Sequence, residues 1–347
     1  MDFGLFLEFP RHDGGTDQQA FEEAFALVDL AEELRVQSVW LAEYHFNPER
    51  VLSAPVTIAS SIATRTNNIR VGLAVQCLPL GNPVRIAEEA ATLDQISKGR
   101  LEFGVGRGTF PNVHEGYNVP FEESRGRFDE SLEIIAKAWT NETFSFQGEF
   151  FTCTDLCVSP KPLQKPHPPI TVGITSAESF PLMGQQGHAI MINPSRVFTL
   201  SELGYHIEQY RKTWDQAGHS GKGKVGLRIP IYVAETDAKA YFDPQESAMF
   251  SVRRLGDRVG SYAEYGGTTG DWRAESERIL GMDYDAWFRE KVVYGTSDNV
   301  TERLKELERV LDLDLLIYEI NYGNQMSNDM QVASLKMFNK KVVPEFA

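Results

Sequence analysis

Glu43, Tyr44 and His45 place a carboxylate, a phenol and an imidazole on consecutive residues. An imidazole changes charge near neutral pH, so His45 could act as a general acid or base, or donate a hydrogen bond to a polarised oxygen. The alternative is a histidine satisfied by its neighbours in a turn. Glu43 and His45 also offer two metal ligands, but no third follows at a suggestive spacing, and no metal is expected.

A second group centres on arginine. In Gly104-Val105-Gly106-Arg107-Gly108 the third glycine of a dinucleotide fingerprint is missing, so the segment offers close backbone approach to a ligand rather than a nucleotide motif. Ser124-Arg125 opens a predicted helix, and Thr175-Ser176-Ala177 opens another, with Ser179 shortly after. Helix N-termini, hydroxyls and two arginines together make a coherent monophosphate site. Spacing alone slightly favours a plainer account, in which the serines cap helices and the arginines pair with surface carboxylates. Neither a Gly-x-Ser-x-Gly elbow, nor a Walker A sequence, nor His-Glu-x-x-His occurs, so hydrolase and NTPase readings lack their usual anchors.

The elements that must position these residues follow from periodicity. Short apolar runs at Phe3–Leu7, Ser38–Leu41, Ile69–Val75, Leu101–Val105, Ile170–Val172, His188–Ile192, Gly226–Val233 and Leu315–Glu319 alternate with amphipathic stretches. Asp17 is the predicted cap of the first helix, which runs to about Leu34. Further helices are predicted over Pro55–Thr64, from Pro83 to about Ser97, and over Arg125–Trp139, Ala177–Gly187, Leu200–Ala217 and Asn299–Leu311. A hairpin around Gln147-Gly148 interrupts the rhythm. Eight such units predict an α/β chain folded as a (β/α)8 TIM barrel, with a doubly wound sheet as the alternative. The chain reads as a single domain over 1–347, and its insertion, Ala238–Val293, carries Gly-Gly-Thr-Thr-Gly at 266–270 and reads as a lid between strands seven and eight. Barrel chemistry gathers where strands end, which is where Glu43 to His45, Ala74-Val75, Gly106-Arg107 and Thr175-Ser176 fall.

With 34 Lys and Arg against 49 Asp and Glu, the net charge of −15 argues against nucleic acid as a partner. The three cysteines, Cys77, Cys153 and Cys157, cannot all pair and read as free thiols. No window approaches the roughly 18 apolar residues of a membrane span, and no signal segment is apparent, so a cytoplasmic location is expected.

Val39 to Phe46 resembles the bacterial luciferase-like flavin monooxygenases. The resemblance continues through Leu78-Pro79, Asn82 to Glu89, Leu93 to Arg100, Phe103 to Gly108 and Ser124-Arg125, with a fainter echo at Ser334 to Phe338. It implies a (β/α)8 barrel that receives reduced FMN (FMNH2) from a separate flavin reductase and oxygenates a small organic substrate through a flavin 4a-peroxide. It also implies that Arg107 and Arg125 clamp the FMN phosphate beside Thr175, Ser176 and Ser179. Ala74-Val75 falls where relatives have a non-proline cis peptide beneath the flavin ring, and a homodimer through the second and third units is implied. Two departures separate the chain from light-emitting luciferases: Tyr44 stands where they have the first of two histidines, and Gly106 where they have a thiol. His45 becomes the leading catalytic candidate and Tyr44 a candidate donor to the substrate. A deazaflavin-dependent oxidoreductase and a non-catalytic flavin-binding subunit are the alternatives. The aromatics Tyr44, Phe46, Phe110, Tyr117 and Trp272 are candidates for a pocket wall, and the substrate is left open.

Overall fold

The computed structural model describes residues 1–346 except 13, 194–197 and 263–270. Eight strands form a closed parallel ring: β1 (Asp2–Leu7), β2 (Ser38–Leu41), β3 (Arg70–Leu73), β4 (Leu101–Gly106), β5 (Ile170–Ile174), β6 (Ala189–Ile192), β7 (Val225–Val233) and β8 (Leu315–Glu319). Gly4 lies opposite Ser38, Asp2 opposite Leu315, and Ile190 opposite Val225, the last pairing closing the ring. The expected (β/α)8 barrel is therefore the fold. Both faces of β1 beyond Asp2 are buried, the consequence of a parallel strand covered inside and out.

Helices pack outside this ring. In the helix Ser297–Leu311, Val300, Leu304, Leu307 and Leu311 recur at helical spacing and bury one stripe against the core. The first helix, Asp17–Glu33, is capped by Thr16 rather than by the expected Asp17: the Thr16 hydroxyl accepts the Gln19 amide while the Gln19 side chain accepts the Thr16 amide. The hairpin expected near Gln147 forms between Phe144–Gln147 and Thr152–Leu156.

A separate cluster of Phe6, Trp40, Ala42, Met191 and Ile317 fills the barrel interior. Trp40 donates its indole N–H to Ser38 Oγ at 2.9 Å. A Cβ at Gly72 would lie 2.3 Å from its ring, so the missing side chain there is what admits the indole.

The third strand does not run unbroken to Val75 as its apolar pattern predicts. β3 ends at Leu73, the Ala74-Val75 peptide is cis, and Gln76–Cys77 then pairs with the end of β4. Gly104 accepts this detour, because a Cβ there would sit 1.8 Å from the Leu73 carbonyl oxygen. Gly104→Ala is expected to cost about 1–3 kcal/mol or more, since backbone must move to relieve the overlap. An unchanged thermal midpoint in that variant would contradict this packing account.

The insertion between β7 and β8 lacks legible periodicity yet is largely helical, over Asp237–Phe242, Gln245–Ser261, Trp272–Leu280 and Tyr284–Glu290. It rejoins the sheet at Val293–Gly295, parallel to β7. The glycine cluster at 266–270 lies outside the described residues.

Candidate active site

A cavity of ≈ 670 Å³ opens at the C-terminal ends of the strands, a size ordinary for a cofactor site. It is bordered by every site residue read from the sequence: Tyr44, His45, Ala74, Val75, Gly106, Arg107, Arg125, Thr175, Ser176 and Ser179. Residues of the helix Gln245–Ser261, including Phe250, Arg254 and Arg258, border it too, so the insertion lies over the same opening.

One wall carries the arginines and hydroxyls. Arg107 follows β4, and Arg125 stands in the first turn of the helix Ser124–Thr140. Thr175 and Ser176 follow β5, and Ser176 Oγ lies 2.9 Å from Ser179 Oγ. The helix expected from Ala177 begins only at Ser179, so Thr175 and Ser176 belong to the loop before it. Ser176 therefore caps no helix, and the Ser124 hydroxyl donates to the Phe121 carbonyl instead of capping its own. Among the described residues Arg125 makes no salt bridge or hydrogen bond at contact distance, and its charge acts on the exposed carboxyl of Asp129, one turn along the same helix. A guanidinium held by no contact-range ion pair, bordering the same cavity as three hydroxyls, fits a phosphate.

Gly106 and Gly173 border the cavity and also serve the chain itself. A Cβ at Gly106 would lie 2.4 Å from a Val75 methyl, and one at Gly173 would lie 2.7 Å from the other. Both make room for Val75, which stands as a ledge in the cavity wall.

On a second wall His45 and Glu43 pair, with Nε2 to Oε1 at 2.7 Å. The other Glu43 oxygen accepts the Cys77 amide at 2.9 Å, and Tyr117 Oη lies 3.0 Å from His45 Nδ1. An ionised carboxylate only accepts, so with Glu43 ionised Nε2 bears the hydrogen and Nδ1 accepts from the phenol. Both ring nitrogens are thus engaged.

Tyr44 borders the cavity, and its hydroxyl donates to the buried carboxylate of Glu8. Glu8 also accepts from Arg50 Nε at 2.9 Å, from Asn324 at 2.9 Å and from Arg228 at 3.4 Å, while Arg228 donates to Glu319 at 2.7 Å. Burial alone would raise the Glu8 pKa, but Arg50, Arg228 and the bonds from Tyr44 and Asn324 together bring it to about 2. Burial and the like charge of Glu8 push Glu319 up to about 7 despite Arg228. Burial, then Glu8, raises the Tyr44 phenol well above its ordinary value, so it remains a neutral donor. Glu8, Arg50, Arg228 and Glu319 escaped the sequence reading. A carboxylate directly after an apolar strand at Glu8, and another ending β8 at Glu319, were the available signals.

Of the aromatics expected to line a pocket, Tyr44, Phe46, Phe110 and Trp272 do so, whereas Tyr117 reaches the site through His45. The cysteines are free thiols, and burial followed by the Glu43 charge raises the Cys77 pKa. Among the described residues no group of three His, Cys, Asp or Glu could hold a metal ion, and no helix is long and apolar enough to cross a membrane.

Residues 1–312 match the model of the luciferase-like monooxygenase family, and the chain belongs to that family. It is by that membership an enzyme of the monooxygenase class. The chain is 25% identical to the oxygenase component of the flavin-dependent trigonelline monooxygenase of Acinetobacter baylyi, over 100% of this chain and 96% of the relative. The oxygenating constituent of 3,6-diketocamphane monooxygenase from Pseudomonas putida, a Type II Baeyer-Villiger enzyme solved with FMN, superposes with a TM-score of 0.81 at 21% identity, over 99% and 98% of the two chains. The coenzyme F420 dependent tetrahydromethanopterin reductase of Methanopyrus kandleri gives 0.75 at 17%, over 100% and 99%. The last two show the fold alone.

Proposed function

We propose that the chain is the oxygenating component of a two-component FMN-dependent monooxygenase, taking reduced FMN from a separate reductase and passing one oxygen atom to a small organic substrate. The observation that carries this reading is the convergence of Arg107, Arg125, Thr175, Ser176 and Ser179 on one wall of the ≈ 670 Å³ cavity. The relative named as an oxygenase component supports the separate reductase.

Arg107 and Arg125 would hold the phosphate, with the three hydroxyls completing its hydrogen bonds. The Ala74-Val75 segment, backed by Gly106, would support the ring system from one side. Bound in its reduced form, FMN supplies the electrons that activate molecular oxygen. His45 would hold or release a proton at the cavity wall, its ring fixed by Glu43 on one side and Tyr117 on the other. The insertion residues over the mouth would restrict water.

Anaerobic equilibrium titration tests the cofactor assignment. Reduced FMN is expected to bind at micromolar concentrations, while a deazaflavin lacking the same fit binds more weakly. Preferential deazaflavin binding would move the protein to hydride-transfer chemistry, and FMN binding without turnover of any substrate class would make it a non-catalytic subunit.

We also propose a homodimer. Of the small residues over Ala59–Ala63 in the second unit, Ala59 and Ala63 are buried in the chain's own core and Ser61 faces outward. Sedimentation at the 39.0 kDa mass of one chain would refute it.

A further inference from the structure

The arginines bordering the cavity sort by partner. Arg50 and Arg228 are held by Glu8, Arg228 also by Glu319, and Arg254 by Glu49. Arg107 and Arg125 belong to the hydroxyl wall. Arg258 stands apart from both groups. It projects from the helix Gln245–Ser261 into the cavity, half-buried, and among the described residues it has no carboxylate within ion-pair distance and no hydrogen-bond acceptor.

Its surroundings are aromatic. The guanidinium carbon lies 5.2 Å from the centre of the Phe110 ring. Phe110 packs on Tyr262 at 5.7 Å, and Tyr262 on Trp272 at 6.0 Å. Burial, then the like charges of Arg50 and Arg254, disfavour the cation at Arg258, yet a guanidinium does not give up its proton in a protein. A cation held half-buried with no counter-ion among the described residues, facing a ligand cavity, is suited to an anion that arrives with the ligand.

We infer that Arg258 receives the anionic end of the organic substrate, and that this substrate is a small aromatic carboxylate. A carboxylate matches the two-pronged donor face of a single guanidinium. A phosphate dianion would call for a second cation, and the nearest in sequence, Arg254, is committed to Glu49. Phe110 and Trp272 supply the flat apolar contact that a ring would use. The inference rests on the oxygenase reading, in that it takes the molecule held here to be the substrate.

Titration of the full chain with benzoate and with benzamide, followed by calorimetry in the absence and presence of saturating FMN, tests it. Benzoate is expected to bind about tenfold or more tightly than benzamide, the difference made by the charge. That preference should vanish in Arg258→Gln and persist, reduced, in Arg258→Lys, which keeps a point charge without the fork. Equal affinities in the unaltered protein, no benzoate binding, or a preference surviving in Arg258→Gln would each overturn the inference. Should Arg258→Gln fail to fold, Arg258→Lys still decides, since an undiminished preference there contradicts a bidentate partner. The FMN affinity of the same samples separates the two readings. Failure of FMN to bind the unaltered protein refutes the oxygenase reading, while the flavin-free titration still decides the carboxylate site. Loss of FMN affinity in Arg258→Gln with the benzoate preference intact assigns the residue to the flavin and overturns the inference.

Discussion

Arg107→Ala is expected to weaken FMN binding by roughly tenfold to a hundredfold, and Arg125→Ala by an amount near the lower end of that range. A hydrogen bond to a charged group contributes about 1.5–3 kcal/mol, and 1.4 kcal/mol is tenfold in affinity. Arg107 is half-buried, where charge is less screened, whereas Arg125 is exposed at the rim. Lysine at either position should restore part of the loss, because a point charge lacks the fork that matches two phosphate oxygens. The net charge of −15 makes the result more telling, since the acidic surface as a whole repels an anionic flavin and attraction must come from cations at the cavity itself. Equilibrium titration of both variants checks this. Affinities equal to that of the unaltered protein would remove the phosphate from this wall.

Loss of Glu8 is expected to have the largest effect on stability. Its carboxylate holds Arg50, Arg228, Tyr44 and Asn324 together in the barrel mouth, and Glu8→Ala would leave Arg50 without that partner and Tyr44 without an acceptor. Breaking one member out of a buried ion network costs about 3–5 kcal/mol, chiefly through the charge left uncompensated. The pH dependence has a definite sign. The Glu8 pKa falls from 4.5 to about 2 on folding, so its stabilisation is full above 4.5 and is lost as pH drops through the window down to 2. Glu319 runs the other way: raised from 4.5 to about 7, it withdraws stability as pH rises through that interval. Denaturant unfolding from pH 2 to 8 should show a shallower acid limb in Glu8→Gln than in the unaltered protein. An identical acid limb in the two would show that Glu8 is not held as described.

How much of this was legible in the sequence depended on the kind of information. The eight strands were legible because a buried parallel strand writes itself as an apolar run, as at Leu315–Glu319, where the expected and observed bounds agree. The break after Leu73 was not legible in the apolar pattern, since Val71 to Val75 are uniformly apolar, and it was the family resemblance that placed the cis peptide found at Ala74-Val75. The helices of the insertion went unread although Ala248, Val252 and Val259 bury a stripe at helical spacing in Gln245–Ser261. In the site, Arg107, Thr175 and Ser176 were legible by position at strand ends. The role of Tyr44 was not, because its partner Glu8 lies 36 residues earlier and only closure of the barrel brings the two together.

Oxygen from the gas phase is expected to reach an organic substrate in this cavity. Labelled dioxygen, reduced FMN generated by a generic flavin reductase, and a panel of aldehydes, ketones, amines, sulfur compounds and aromatic carboxylates, followed by mass spectrometry, measure that directly. One labelled oxygen atom is expected in the product of at least one class, dependent on the chain and abolished in the double variant Arg107→Ala, Arg125→Ala. Consumption of reduced FMN with no label entering any class, or substrate reduced or oxidised without oxygen gained, would contradict it.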